Sequence, residues 1–291
     1  MREKWWIFLV IIVVCLAFAG GIVFWLAMRS VEGTPGGFSI GKGVGLVKIR
    51  GAIASSEDAV SEIVRLSKDP RVSALVVRIE SPGGAVGAVQ EIYSELKKVK
   101  DKGIPVVASM GVVAASGGYY IACAADSIIA NPGTLTGSIG VIMTFANTEV
   151  LLRKLGIDVE VVKTGEYKDM GSISRPLTDE ERKLLLGLLE DVHSQFVEVI
   201  AEERGIAIDT VEALADGRLL TGRQALDLRL VDRLGDLRDA IEVAARLAGI
   251  KGEPSIVTQR KMISFWTLLR ELMSKVESAG RSAISLEYSL R

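Results

Sequence analysis

The 291-residue chain carries 35 basic and 36 acidic side chains, 49% hydrophobic residues and 24% charged ones, for a formal net charge of −1. With no basic surplus, nothing in the composition points to a nucleic-acid partner. Two cysteines, Cys15 and Cys123, and one histidine, His193, make neither a disulfide framework nor a zinc site, so no metal or other cofactor is expected.

Trp5–Met28 is 24 residues without a charge, bounded by Lys4 and Arg29. At about 1.5 Å per residue a helix of this length crosses the hydrocarbon core of a bilayer. Trp5, Trp6 and Trp25 stand near its ends, where amphipathic rings favour the interface. Ala17-Phe18-Ala19 has the small-x-small pattern of a cleaved leader, but the apolar run continues nine residues past it, which favours an uncleaved anchor. Residues 1–29 are therefore read as an N-terminal transmembrane anchor. Arg2 and Lys4 precede the span and Arg29, Lys42 and Lys48 follow it, so charge does not decide the orientation. Residues 30–43, with Gly and Pro and few large apolar side chains, read as a linker.

From Val44 strands and helices alternate. The pattern predicts strands at Val44–Ile49, Val72–Ile79, Val106–Met110, Ser127–Ala130, Ile139–Met143, Asp158–Lys163 and Ser255–Thr258. Helices are predicted at Ser56–Leu66, Ala85–Val99 and Thr148–Leu155, with shorter ones before Ile250. The longest, Thr178–Arg204, opens on a capping-box pair, Thr178 and Glu181, and carries a stripe of Leu185, Leu189, Val192, Phe196 and Val199. His193 lies beside that stripe and reads as a rim or surface histidine. A βαβ rhythm of this kind predicts an α/β fold, a mostly parallel sheet with flanking helices, over residues 44–258. Residues 259–291 are read as a C-terminal amphipathic helix and tail. Phe265, Trp266, Leu269 and Met273 share one helix face there, for packing on the body, on another subunit or on the membrane surface.

Within Ala108–Ala125 an apolar strand runs into Ser116, Gly117 and Gly118, and an apolar helix-like segment follows. Glycines beside a serine at a strand-to-helix turn allow a tight bend and close approach of a substrate. Ser116 is therefore either a helix cap or a nucleophile. A serine nucleophile needs a base. With His193 set aside, lysine is the remaining common choice, provided its surroundings let it lose a proton near neutral pH. Lys168, in a glycine-flanked loop after a buried-type strand, is the candidate; the adjacent carboxylate of Asp169 works against it, and a surface salt-bridge lysine is the alternative.

Five short motifs stand in one order: Ser81-Pro-Gly-Gly84, Ala115-Ser-Gly-Gly-Tyr119, Thr136-Gly-Ser-Ile-Gly140, Tyr167-Lys-Asp-Met-Gly171 and Asp216-Gly-Arg-Leu-Leu-Thr-Gly-Arg223. Through them the chain resembles the signal peptide peptidase A family, serine endopeptidases with a Ser-Lys dyad and a Clp/crotonase-type fold. The resemblance covers about Val44 to Val257. It implies Ser116 as nucleophile, Lys168 as general base, Ser138 as the hydroxyl orienting Lys168, and Gly83 and Gly117 as backbone donors of the oxyanion hole. It further implies a homo-oligomeric ring and, together with the anchor, a single-pass cell-membrane protein. The catalytic domain would stand on the extracytoplasmic side, taking remnant signal peptides and other apolar or unfolded peptides. The stretch Gly171-Ser-Ile-Ser-Arg175 is longer than the family's usual turn, which bears on the shape of the substrate loop. Rival readings are a related membrane protease cleaving a stomatin-like partner, a crotonase-type thioester enzyme, for which the sequence offers no convincing carboxylate pair and Glu80 beside Ser81 is the nearest candidate, and a non-proteolytic scaffold.

Overall fold

The computed structural model describes residues 42–258. The expected anchor at residues 1–29, nearly all of the linker and the C-terminal segment 259–291 lie outside these residues. Among the described residues no helix is long and apolar enough to cross a membrane.

In chain order the elements are β1 (Gly43–Arg50), α1 (Glu57–Ser67), β2 (Val72–Ser81), α2 (Val86–Asp101), β3 (Val106–Ala114), α3 (Gly117–Cys123), β4 (Ser127–Ala130), β5 (Leu135–Gly137), α4 (Glu149–Lys154), α5 (Asp179–Arg204), α6 (Ile208–Leu214), β6 (Leu219–Thr221), α7 (Gly222–Asp227), β7 (Arg233–Leu234), α8 (Leu237–Leu247) and β8 (Ser255–Val257). The sheet runs β6-β5-β3-β2-β1-β8, with β4 paired to β3 and to β7. All pairs are parallel except β5 with β6.

β2 reads as a nearly continuous apolar run because both its faces are covered. Leu75, Val77 and Ile79 enter the larger core, shared with residues of α1, α2, α3 and the C-terminal half of α5. Ala74 and Val76 face the other way, against Ala240, Ile241 and Ala244 of α8. The strongly amphipathic α8 thus covers one face, and its first turn is closed by a capping box from Asp236 and Asp239.

β3 forks. Val107–Met110 pair with β4, while Val113, near its end, pairs with β5. α3 begins at this fork and is wholly buried. Tyr119 donates its hydroxyl proton to Leu230 O (2.9 Å), which anchors the helix from beneath. Tyr120 packs between Tyr93 and Phe196, with ring centroids 5.1 Å apart in each pair. The segment after Ala115 is therefore held by side chains distant in sequence.

Two predicted strands do not form. Ile139–Met143 and Asp158–Lys163 have no regular structure, and Ile142 and Val162 are 87% and 92% exposed. A strand is stable only where its N–H and C=O groups find a partner strand. Neither segment is brought alongside a strand of the sheet: β3 pairs with β4 and β5 instead. Large apolar side chains are left exposed in this part of the chain, among them Ile142, Phe145, Leu151, Val162 and Ile173, and Met143 and Phe145 line a cleft with Leu186 of α5.

Candidate active site

Ser116 ends the β3 arm in an unusual conformation, φ 52° and ψ −123°. Ser138 has φ 48°, and Arg229 is the only other non-glycine residue with positive φ among the described residues. Such backbones cost about 1–3 kcal/mol each and persist only where the surroundings impose them. Here the surroundings are identifiable. Ser116 N–H donates to Gly137 O (2.8 Å), and the Ser116 carbonyl accepts from Tyr119 N and Tyr120 N (2.9 Å each). Ser138 N–H donates to Arg218 O (2.7 Å), and Gly217 N–H to Ile139 O (3.0 Å). The two strained serines are thus tied together through Gly137.

Ser116 lies at the junction of two clefts. One, about 280 Å³, is mostly apolar, with Val86, Val89, Tyr120, Ile142, Val192 and Phe196 beside Ser116 and Gly117. The other, about 520 Å³, joins Ser116 and Ser138 to Leu186, Leu189, Glu190, His193 and Asp216. Pro82, Gly140, Val141 and Ile142 border both. A peptide crossing Ser116 would meet largely apolar walls in both clefts, the larger one adding the side chains of Glu190, His193 and Asp216.

Gly117, the first residue of α3, carries one of the amides that a helix leaves without an internal acceptor. Gly83 packs directly on it: a Cβ at Gly83 would fall 2.8 Å from Gly117 N and 3.0 Å from Ser116 Cβ. The Gly83 N–H, however, donates to Ser81 Oγ (3.1 Å). Of the two expected oxyanion donors, Gly83 is committed within its own loop and must be released by substrate to serve. Cys123, the buried thiol of α3, is pushed up to about 12 by burial and is no rival nucleophile.

Lys168 is exposed, in a turn closed by its N–H donating to Gly165 O (3.2 Å). It lines neither cleft that holds Ser116. The neighbouring Tyr167 donates its hydroxyl proton to Glu180 (2.9 Å), at the start of α5. Glu180 and Val192, the latter beside Ser116, are separated by roughly 18 Å along the helix axis. Within one chain the structure brings together Ser116, Ser138, Gly83 and Gly117 and leaves Lys168 outside their cleft.

Asp169, next to Lys168, is held by Arg175 through two bonds (2.9 and 2.8 Å) and by Lys163 (2.6 Å). Hydrogen bonds from both cations keep its carboxyl well below the usual range, Arg175 being the larger cause. Arg175 also binds Glu181 (2.8 and 2.5 Å). Glu181 accepts from Thr178 N–H (2.9 Å), completing the predicted capping box, and lies at about 2, chiefly because of Arg175.

His193 is on the cleft wall with both serines, not on an outer rim. Its position between Val192 and Phe196 is the available signal, since both neighbours line the apolar cleft. Its Nε2 is 2.8 Å from Ala215 O, and a carbonyl only accepts, so Nε2 carries the proton and is tied to the wall. Glu80 does not form a carboxylate pair; it binds Arg78 (3.0 Å) and Arg50 (3.4 Å).

Residues 98–251 match the model of peptidase family S49, and residues 48–134 match that of Clp protease. A Synechocystis sp. protein described as a protease is 48% identical over 210 residues, 72% of this chain and 76% of its own length. An Enterococcus faecium protein described as a signal peptide peptidase, SppA, is 36% identical over 186 residues, 64% of this chain. Protease 4 of Salmonella typhi is 36% identical over 217 residues, 72% of this chain. The matched parts span 54% and 35% of the latter two relatives.

Proposed function

This chain belongs to peptidase family S49 and is a serine protease, and from that premise we propose that Ser116 is its nucleophile and Lys168 its general base. The observation that carries the first assignment is the strained Ser116 turn at the junction of the two clefts, beside the Gly117 amide. A peptide carbonyl lying there would be attacked by Ser116 Oγ as Lys168 takes its proton. The developing oxyanion would take the Gly117 N–H and, once freed from Ser81, that of Gly83. The amine product leaves with a proton returned from the lysine, and a water activated by the same lysine hydrolyses the acyl-enzyme. Losing one oxyanion donor typically costs about 3 kcal/mol of barrier lowering.

Lys168 lies outside the cleft of its own chain, so its role requires a second copy. The exposed large apolar side chains between Ile142 and Ile173 support such an assembly, since apolar surface of this kind favours burial against a partner. In a closed homo-oligomer, as the Clp-like fold suggests, the Lys168 turn of one protomer would reach Ser116 of its neighbour, with Ser138 orienting the amine. The apolar cleft favours substrates with a large apolar side chain next to the scissile bond. Together with the expected anchor, this makes remnant signal peptides and other unfolded apolar peptides the substrate class, cut at the extracytoplasmic face of a membrane.

The test uses a serine-directed fluorophosphonate and an apolar fluorogenic peptide. Wild type should label and turn over, while Ser116→Ala should do neither. Lys168→Ala should lose turnover at least 100-fold, in line with losing a general base. Mixed oligomers of Ser116→Ala and Lys168→Ala should recover activity, up to about a quarter of wild type for random pairing across a shared interface. Full activity in either single variant would refute the dyad.

A further inference from the structure

The Asp169 carboxylate directly follows the proposed base, and an amine beside an unbalanced carboxylate holds its proton to higher pH. This chain does not leave that carboxylate unbalanced. The Arg175 guanidinium grips Asp169 in a fork and reaches Glu181 with its other edge, while Lys163 adds a second cation on Asp169. Asp169, Arg175 and Glu181 are 13%, 29% and 3% exposed, so the cluster is partly withdrawn from solvent. Its four charges sum to zero. It also bridges two elements, because Glu181 caps α5 while Asp169 belongs to the Lys168 turn.

We propose that Arg175 is a positioning residue for the general base: it fastens the Lys168 turn to the start of α5 and cancels the negative charge next to the lysine. This rests on the reading of Lys168 as base. The charged and titratable groups around the turn are Lys163, Glu166, Tyr167, Asp169 and Arg175 on its own segment, and Glu180, Glu181 and Arg182 on α5. In an assembled pair the partner cleft adds Glu190 and His193, and Asp216, which is already bound to Arg218. Arg175 touches two carboxylates at once, so its removal takes the principal partner from both. The planar guanidinium is suited to this double grip in a way that a lysine ammonium is not.

The experiment is the pH dependence of kcat/KM of the full chain on an apolar fluorogenic peptide at low and high salt. Arg175→Gln should move the acid limb up by about half a pH unit, the effect of one uncompensated charge several ångströms away in a largely aqueous setting. Asp169→Asn should move it down by a similar amount. Both shifts should shrink in about 1 M salt, where screening is nearly complete. Arg175→Lys should return the limb to its wild-type position with a reduced plateau, since charge is restored and the fork is not. A lower plateau with an unmoved limb in both Arg175→Gln and Asp169→Asn would overturn the proposal and leave Arg175 a purely structural tie. If Arg175→Gln fails to fold, Asp169→Asn decides: a downward shift supports the proposal and no shift overturns it. Lys168→Ala separates the two levels, because activity retained there sinks the dyad itself, whereas an inactive Lys168→Ala beside unmoved limbs sinks only the role of Arg175.

Discussion

Replacing Gly83 by alanine probes the contact on which the site is built. Gly83 has φ +103°, a conformation that a side chain makes unfavourable by about 1–3 kcal/mol. The new methyl would also sit 2.8 Å from Gly117 N, 3.0 Å from Ser116 Cβ and 3.2 Å from Ala115 O. Two of these are backbone atoms, which cannot rotate aside, and overpacking of this kind costs about 1–3 kcal/mol more. The sum, roughly 2–6 kcal/mol, corresponds to a fall of about 5–20 °C in thermal midpoint for a domain of this size. Relief by backbone movement would displace the Gly117 amide from the Ser116 carbonyl site, so kcat should fall by about 10²–10³. Calorimetry and turnover of an apolar peptide measure the two effects. Gly87→Ala, four residues on, is the matched control: the space its methyl would take has no atom within 4 Å and its φ is ordinary, so it should leave both quantities nearly unchanged. A Gly83→Ala protein with wild-type midpoint and turnover would refute the claim that this glycine is required by close approach.

Tyr119→Phe should lower stability by about 1–3 kcal/mol, because the buried Leu230 carbonyl loses its 2.9 Å donor; a thermal shift measures this, and turnover at 25 °C should persist. Acid should loosen the Lys168 turn selectively. Glu181 lies at about 2 against a usual 4.5, so its contribution is complete above about pH 4.5 and is lost as pH falls towards 2. Hydrogen-exchange protection around Ser172–Arg182 should drop between about pH 5 and about pH 2.5 while that of β2 holds, and equal protection at both pH values would contradict this.

The legible parts of the fold are local ones. β2 is readable because it is rich in β-branched residues, Val72, Val76, Val77 and Ile79, and α5 because its apolar spacing and the Thr178–Glu181 pair are short-range signals. Ser116 and its glycines are readable as a strand-to-helix turn, a local pattern that leaves a helix cap and a nucleophile equally open. The strands expected at Ile139–Met143 and Asp158–Lys163 fail for the opposite reason. Their apolar content is real, but pairing depends on whether the chain brings them alongside a sheet edge, which neighbouring residues do not encode. His193 escapes a local reading in the same way, since its turn of α5 meets Ala215 only after the chain returns from α5 through α6.

By itself the sequence determined the parallel α/β architecture, the serine turn and the candidate lysine, because strand propensity, helical spacing and glycine-flanked turns are written in neighbouring residues. Tertiary structure alone decided that the two serines share a strained corner through Gly137, that the Gly83 amide is held by Ser81, and that Lys168 stands outside the cleft of its own chain beside a neutralised Asp169. Each of these depends on which distant segments pack together, and no local pattern encodes that.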